Sequence, residues 1–190
     1  MATRTGNGAP ADHVILVDEN DRPVGSAPKL DAHRNGGALH RAFSIFVFNS
    51  AGEMLLQRRA ATKYHFGTLW TNACCSHPRH GQTLEESAHA RLRHEFGFDA
   101  PLQELFSFVY RAEDPASGLT EHEFDHVFVG RFDGRPAPNP EEIEAWEWVA
   151  RSQLLRDVSE HPERFTPWFR IVLERVLERV APADSKPSRE

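Results

Sequence analysis

Hydrophobic and polar positions alternate in short runs over most of the chain and take on a helical period in two places. The stretch HVILVDENDRPVG reads as a strand followed by a polar turn. RAFSIFVFNSAGEMLLQRR reads as a β-hairpin, with Asn49, Ser50, Ala51 and Gly52 at its turn. From Lys63 to Gly81 no period is visible, and the mixture of Gly, Pro, Thr and aromatic residues predicts one long loop. TLEESAHARLRHEFGF then places Leu84, Ala88, Leu92 and Phe96 on one stripe. Thr83 and Glu86 have capping-box spacing and Gly97 supplies a stop, so a helix is predicted between them. Arg91 and Glu95 fall on a neighbouring face of it. LQELFSFVYRAE, EHEFDHVFVGRF and EAWEWVA alternate as strands, with DGRPAPNPEE a loop before the last. Thr166 and Pro167 open a second helix whose core stripe is Phe169, Val172, Val176 and Val180. Strands and helices mix without regular βαβ alternation. The prediction is an α/β (α+β) fold, a mixed β-sheet sandwiched between helices, in a single domain over 13–180. Residues 1–12 and 181–190 read as flexible tails.

Composition narrows the function classes. With 39% hydrophobic and 26% charged residues the chain has the makeup of a soluble globular protein. No apolar run approaches the roughly 18 residues that span a bilayer. The first residues lack the apolar core of a signal peptide, so a cytoplasmic protein without a membrane partner is expected. A net charge of −6 argues against nucleic acid, yet a local cluster of Lys and Arg can still hold a small anion.

Chemistry concentrates at TNACCSHP. Its Cys74 and Cys75 are the 2 cysteines of the chain. Their Cα atoms lie about 3.8 Å apart across a trans peptide, closer than the roughly 4.4–6.8 Å of a disulfide. Spacing also excludes a thioredoxin pair or a zinc finger. A lone working thiol and two small buried hydrophobes remain as alternatives. Among 11 histidines, His33 and His40 flank RNGGAL and His77 lies in the cysteine motif. Glu121 and Glu123, two apart on a predicted strand, face the same way. Three imidazoles and two carboxylates would suit a divalent ion such as Zn²⁺ or Mn²⁺, although spacing alone leaves the set open. His13, His65, His80, His89, His94, His122, His126 and His161 are read as surface or satisfied groups. Glu95 is a negative charge at a helix end, against the macrodipole. Arg58, Arg59 and Lys63 form a short cationic run of the kind phosphates favour. Trp70 and Trp168 read as core or lid residues, or as faces for a cation.

Taken together, LHRAFSIFVFN, LLQRRAATKY, LWTNACCSHP, ARLRHEFG, YRAEDPASG, EHEFDHVF and TPWF resemble, in order, the type I isopentenyl-diphosphate isomerases. The resemblance runs from about His13 to Val180 and implies a Nudix-like fold. It implies the reversible isomerisation of isopentenyl to dimethylallyl diphosphate through a tertiary carbocation, in isoprenoid precursor biosynthesis. By resemblance, Cys75 and Glu123 are the proton-transferring pair and Tyr110 an active-site hydroxyl. His33, His40, His77, Glu121 and Glu123 match a His₃Glu₂ metal site, for Mn²⁺, Zn²⁺ or Mg²⁺. Glu95 and the backbone of Cys75 match a second site, for the Mg²⁺ that accompanies the diphosphate. Lys29, Arg59, Lys63 and Arg91 match phosphate-binding positions, and Trp168 the aromatic facing the isoprenoid. A small allylic or homoallylic diphosphate is the expected partner, with the protein a monomer or weak homodimer.

The alternative is a Nudix-type diphosphate hydrolase. Its helix reads roughly G-x5-E-x7-REUxEExGU, U being a bulky aliphatic. Here Ser87 stands where the first glutamate is expected, and ARLRHE keeps only Glu95 of the core carboxylates. Hydrolysis needs several carboxylates there to organise Mg²⁺ and water, so it is disfavoured. Phe66, Gly67 and Thr68 also replace the aromatic-Pro-Gly turn common in the family.

Overall fold

The computed structural model describes residues 13–180; the tails expected at 1–12 and 181–190 lie outside the described residues. At the centre runs β3 (His40–Phe48), whose run FSIFVF is buried along its length. A strand covered on both faces carries apolar residues at successive positions, and β3 is such a strand. Phe43, Ile45 and Val47 enter a core under the helix α2 (Leu84–Phe96). Phe46 and Phe48 enter the opposite core, under α4 (Pro167–Arg179). Helices on both sides of a mixed sheet are therefore what the sequence predicts.

Three strands meet one edge of β3. These are β1 (His13–Val17) near His40, β6 (Cys74–Ser76) at Phe43 to Ile45, and β4 (Met54–Arg59) near Phe48. On the other edge β8 (Thr120–Arg131) runs parallel to it, with His40 opposite Glu123. Outward from these lie β2 (Pro23–Pro28) on β1, β7 (Leu102–Glu113) on β8, and both β5 (Trp70–Thr71) and β9 (Ile143–Val149) on β4. Both predicted helices form as read. Thr83 and Glu86 close a reciprocal capping box, and Gly97 ends α2 with φ 71°.

Three expectations need correction. The hairpin turn at Asn49 to Gly52 forms and β3 and β4 pair antiparallel across it, but the pairing is short, at Phe48 and Met54. β3 spends its bonds on β6 and β8, and β4 pairs along its length with β9. The stretch read as one loop contains β5 and β6, because its cysteines add a short strand to β3. Two helices also form where none was expected, the single-turn α1 (Lys29–Ala32) and α3 (Arg151–Glu160). Among the described residues, no helix is long and apolar enough to cross a membrane.

Candidate active site

Pairing of β6 with β3 decides what the two cysteines do. Cys74 lies opposite Ile45 and Cys75 opposite Ser44. Successive strand residues face opposite sides of a sheet. Cys74 therefore enters the core beneath α2 and is fully buried. Cys75 faces the other way and lines a cavity. Its thiol donates to Asn72 Oδ1 (3.2 Å) and lies 3.5 Å from Ser44 Oγ. Burial pushes that thiol up to about 12, so it rests as S–H near neutral pH.

The opposite edge of β3 supplies the carboxylates. Glu121 and Glu123 project from one face of β8, as the alternation predicts, and both line the same cavity. Tyr110, across from Glu123 on β7, donates its hydroxyl to Glu123 Oε2 at 2.6 Å. Burial drives the Tyr110 phenol well above its usual value, so it stays a donor.

The donor atoms of His33, His40, His77, Glu121 and Glu123 all lie within 4.8 Å of one another. His33 Nδ1 bonds the carbonyl of Lys29 (2.6 Å) and His40 Nδ1 that of Ala38 (2.8 Å). A carbonyl accepts only a proton, so each ring directs Nε2 inward. Yet His33 Nε2 stands 2.9 Å from Glu121 Oε2, His40 Nε2 3.1 Å from His77 Nε2, and His77 Nε2 2.9 Å from Glu123 Oε1. Lone pairs at such separations need a cation among them, either protons or a metal ion. Burial pushes His77 down to about 3, which favours the unprotonated ring that a metal ligand requires. Two anionic and three imidazole donors thus fit a divalent ion.

The remaining predicted residues converge here. Lys29, Arg59, Lys63 and Arg91 line the cavity, drawn from α1, β4, the segment after β4, and α2. Strand alternation splits the cationic run: Arg59 turns inward and is buried, while Arg58 pairs with Glu144 at the surface. Trp168 also lines the cavity, its ring edge-on to Phe66, its Nε1 donating to Thr71 Oγ1 (3.0 Å) and the Arg59 guanidinium over its face. Trp70 is half-buried against the α4-side core instead. Glu95 is placed behind the cavity wall. One oxygen takes Arg91 Nε (2.5 Å) and the other Gln57 Nε2 (2.8 Å).

Four residues of the cavity escaped the sequence reading, Tyr64, His65, Ser76 and Glu142. His65, read as a surface or satisfied group, is buried and bonds Glu121 Oε1 through Nε2. Glu142 pairs with both Lys63 and Arg91. Burial would raise its pKa, but these cations hold it down to about 2. His65 and Glu142 had no sequence signal: His65 lies 56 positions from its partner, and Glu142 sits beside an exposed twin, Glu141, in a loop.

Known proteins share this architecture. The NUDIX domain model matches residues 38–169. "Isopentenyl-diphosphate Delta-isomerase 2" of Aromatoleum aromaticum is 54% identical over 87% of this chain and 87% of its own. "Isopentenyl-diphosphate Delta-isomerase" of Halorhodospira halophila is 49% identical over 86% of this chain and 94% of its own. Among solved structures, a Deinococcus radiodurans protein superimposes with a TM-score of 0.68 at 24% identity, over 86% of this chain and 98% of that one. A MutT protein of Methanosarcina mazei gives 0.61 at 17% identity, over 74% and 94%. These two likenesses speak for the fold alone.

Proposed function

The chain belongs to the isopentenyl-diphosphate Delta-isomerases of the NUDIX superfamily, and from that premise we propose how its cavity interconverts isopentenyl and dimethylallyl diphosphate. The observation that supports the reading best is that Cys75 and the Glu123–Tyr110 pair line one cavity from strands on opposite edges of β3. Moving a double bond adds a proton at one carbon and removes one at another, so the reaction needs two proton-carrying groups. Cys75 is one and Glu123 the other, and they exchange roles when the reaction reverses. Between the two transfers the substrate is a tertiary carbocation. Trp168, with Phe66 packed edge-on against it, and Tyr110 wall the cavity with aromatic surface, which keeps water from trapping that cation as an alcohol. The indole face offers it electron density.

Lys29, Arg59, Lys63 and Arg91 bind the diphosphate. Lys63 and Arg91 leave Glu142 to do so, and Arg91 also releases Glu95. That exchange frees Glu95, with the Cys75 carbonyl, for the Mg²⁺ accompanying the substrate. When bound by His33, His40, His77, Glu121 and Glu123, a divalent ion (Mn²⁺, Zn²⁺ or Mg²⁺) supplies positive charge that orients Glu123 and favours its carboxylate. Tyr110 holds the outer oxygen of the same carboxylate. The reading extends to a cytoplasmic enzyme acting as a monomer or weak homodimer, which fractionation and sedimentation would check.

Hydrolysis is disfavoured for a structural reason as well. Glu95 is the buried carboxylate of α2, whereas Glu85 and Glu86 are exposed in its first turn. The decisive experiment is proton NMR of isopentenyl diphosphate with the protein and Mg²⁺ in D₂O, phosphate release being followed in parallel. Dimethylallyl diphosphate carrying deuterium, without phosphate, is the expected result. Phosphate without isomerisation would replace this reading with the hydrolase.

A further inference from the structure

We propose that His65 is a positioning residue of the metal centre, holding the outer oxygen of Glu121 so that only its inner oxygen faces the three ligand imidazoles. The inference rests on the metal-centre reading above and adds a fourth imidazole to it, in a different role.

The two buried carboxylates are treated alike. Glu123 gives Oε2 to the Tyr110 hydroxyl and turns Oε1 toward His77. Glu121 gives Oε1 to His65 Nε2 and turns Oε2 toward His33. Each carboxylate therefore has one oxygen among the imidazoles and one tied by a donor from outside. A carboxylate fixed in this way offers a single oriented lone pair, and outer partners of this kind govern metal affinity.

His65 differs from the ligand histidines in its hydrogen bonding. His33 and His40 use Nδ1–H on backbone carbonyls and so turn Nε2 toward the cluster. His65 Nδ1 is buried without a partner, so no carbonyl holds the ring in that tautomer. Its Nε2 is the nitrogen that carries hydrogen, donated to Glu121. His65 also stands outside the five residues whose donor atoms converge. It acts on the ion through Glu121.

The backbone around His65 is constrained from both sides. Arg59 donates Nε to the Phe66 carbonyl (3.0 Å) and a terminal nitrogen to that of His65 (3.2 Å). Asp114 Oδ2 accepts from the Phe66 amide at 3.1 Å. Phe66 and Thr68 both hold positive φ, 47° and 67°, although Gly67 between them is the residue suited to it. Left-handed backbone costs a non-glycine residue about 1 kcal/mol or more and persists where surroundings enforce it. Here it turns the Phe66 ring onto Trp168 and leaves the preceding imidazole on Glu121. Arg59, a proposed phosphate ligand, thus also fixes the backbone that carries His65.

The test is Co²⁺ binding to the full chain, by competition with a chelator and by the visible spectrum of the bound ion. His65→Leu should weaken Co²⁺ about 10–100-fold and shift the absorption bands. His65→Gln, which keeps an N–H donor, should restore affinity to within a few-fold. Wild-type affinity and spectrum in His65→Leu would overturn the proposal, as would a Gln variant no better than Leu. If His65→Leu does not fold, His65→Ala takes its place under the same criteria. A His40→Ala control separates the two inferences: if it binds Co²⁺ as tightly as wild type, the metal-centre reading itself fails.

Discussion

A Cys75→Ala substitution takes a proton-carrying thiol out of the cavity and leaves the β3–β6 pairing in place, since that pairing is backbone. Turnover should fall by about 10²–10⁴, with the melting temperature and metal content close to wild type. Cys74→Ala should behave the other way. It removes a buried sulfur from the α2-side core, costing about 1 kcal/mol and sparing kcat; steady-state kinetics and denaturant melts on both variants check the pair. Glu142 makes a pH prediction. Its folded pKa lies near 2 against an ordinary 4.5, so its stabilisation is complete above the ordinary value and is lost as pH falls toward 2. Glu142→Gln should lower stability near pH 7 by about 1 kcal/mol after allowance for solvent screening. The difference from wild type should shrink as the medium is acidified through that window, which urea melts at several pH values would show. At this scale the sequence exposed residues whose chemistry needs no partner to be noticed: a paired thiol, a glutamate doublet, a run of cations. It concealed residues such as His65 and Glu142, whose function comes from a neighbour distant in the chain.

Elements were readable where a period persisted long enough to be seen. α2 showed its stripe, its cap and its stop together, and all three form. The cap has a measurable share: Thr83→Ala should destabilise the protein by about 1 kcal/mol and leave KM unchanged, because Thr83 does not line the cavity. β6 covers three residues, too few for alternation to register. α3 buries only Leu154 and so lacks a stripe. The hairpin is shorter than its alternating arms suggest for a different reason. Alternation tells that a segment is a strand and which face it buries, but carries no information on which strand lies beside it. Short turns favour hairpins, and here β6 takes the same edge of β3 further along, while β9 pairs along β4.

At the scale of the whole molecule, one sheet separates two cores and the cavity gathers residues from both edges of its central strand. Binding at that junction should be felt throughout the fold. A ligand that prefers the folded state raises stability by RT ln(1 + [L]/Kd). A divalent ion should therefore raise the melting temperature in a concentration-dependent way and excess chelator reverse it, while His40→Ala should abolish the response. Calorimetric scans across a metal titration would measure it. The cavity's makeup was visible in the sequence only as scattered strings, since their convergence depends on pairing.

Which sulfur faces the cavity is set by odd-and-even counting along β6. A slip of one residue against β3 in one direction would set Cys74 opposite Ser44 and turn it to the cavity. Most strands would lose their working side chain in such a slip, whereas this one would substitute an identical atom. The doublet would thus keep a thiol on the cavity wall through such a slip, and the register is held instead by His77, the next residue along, which must meet His40 and Glu123.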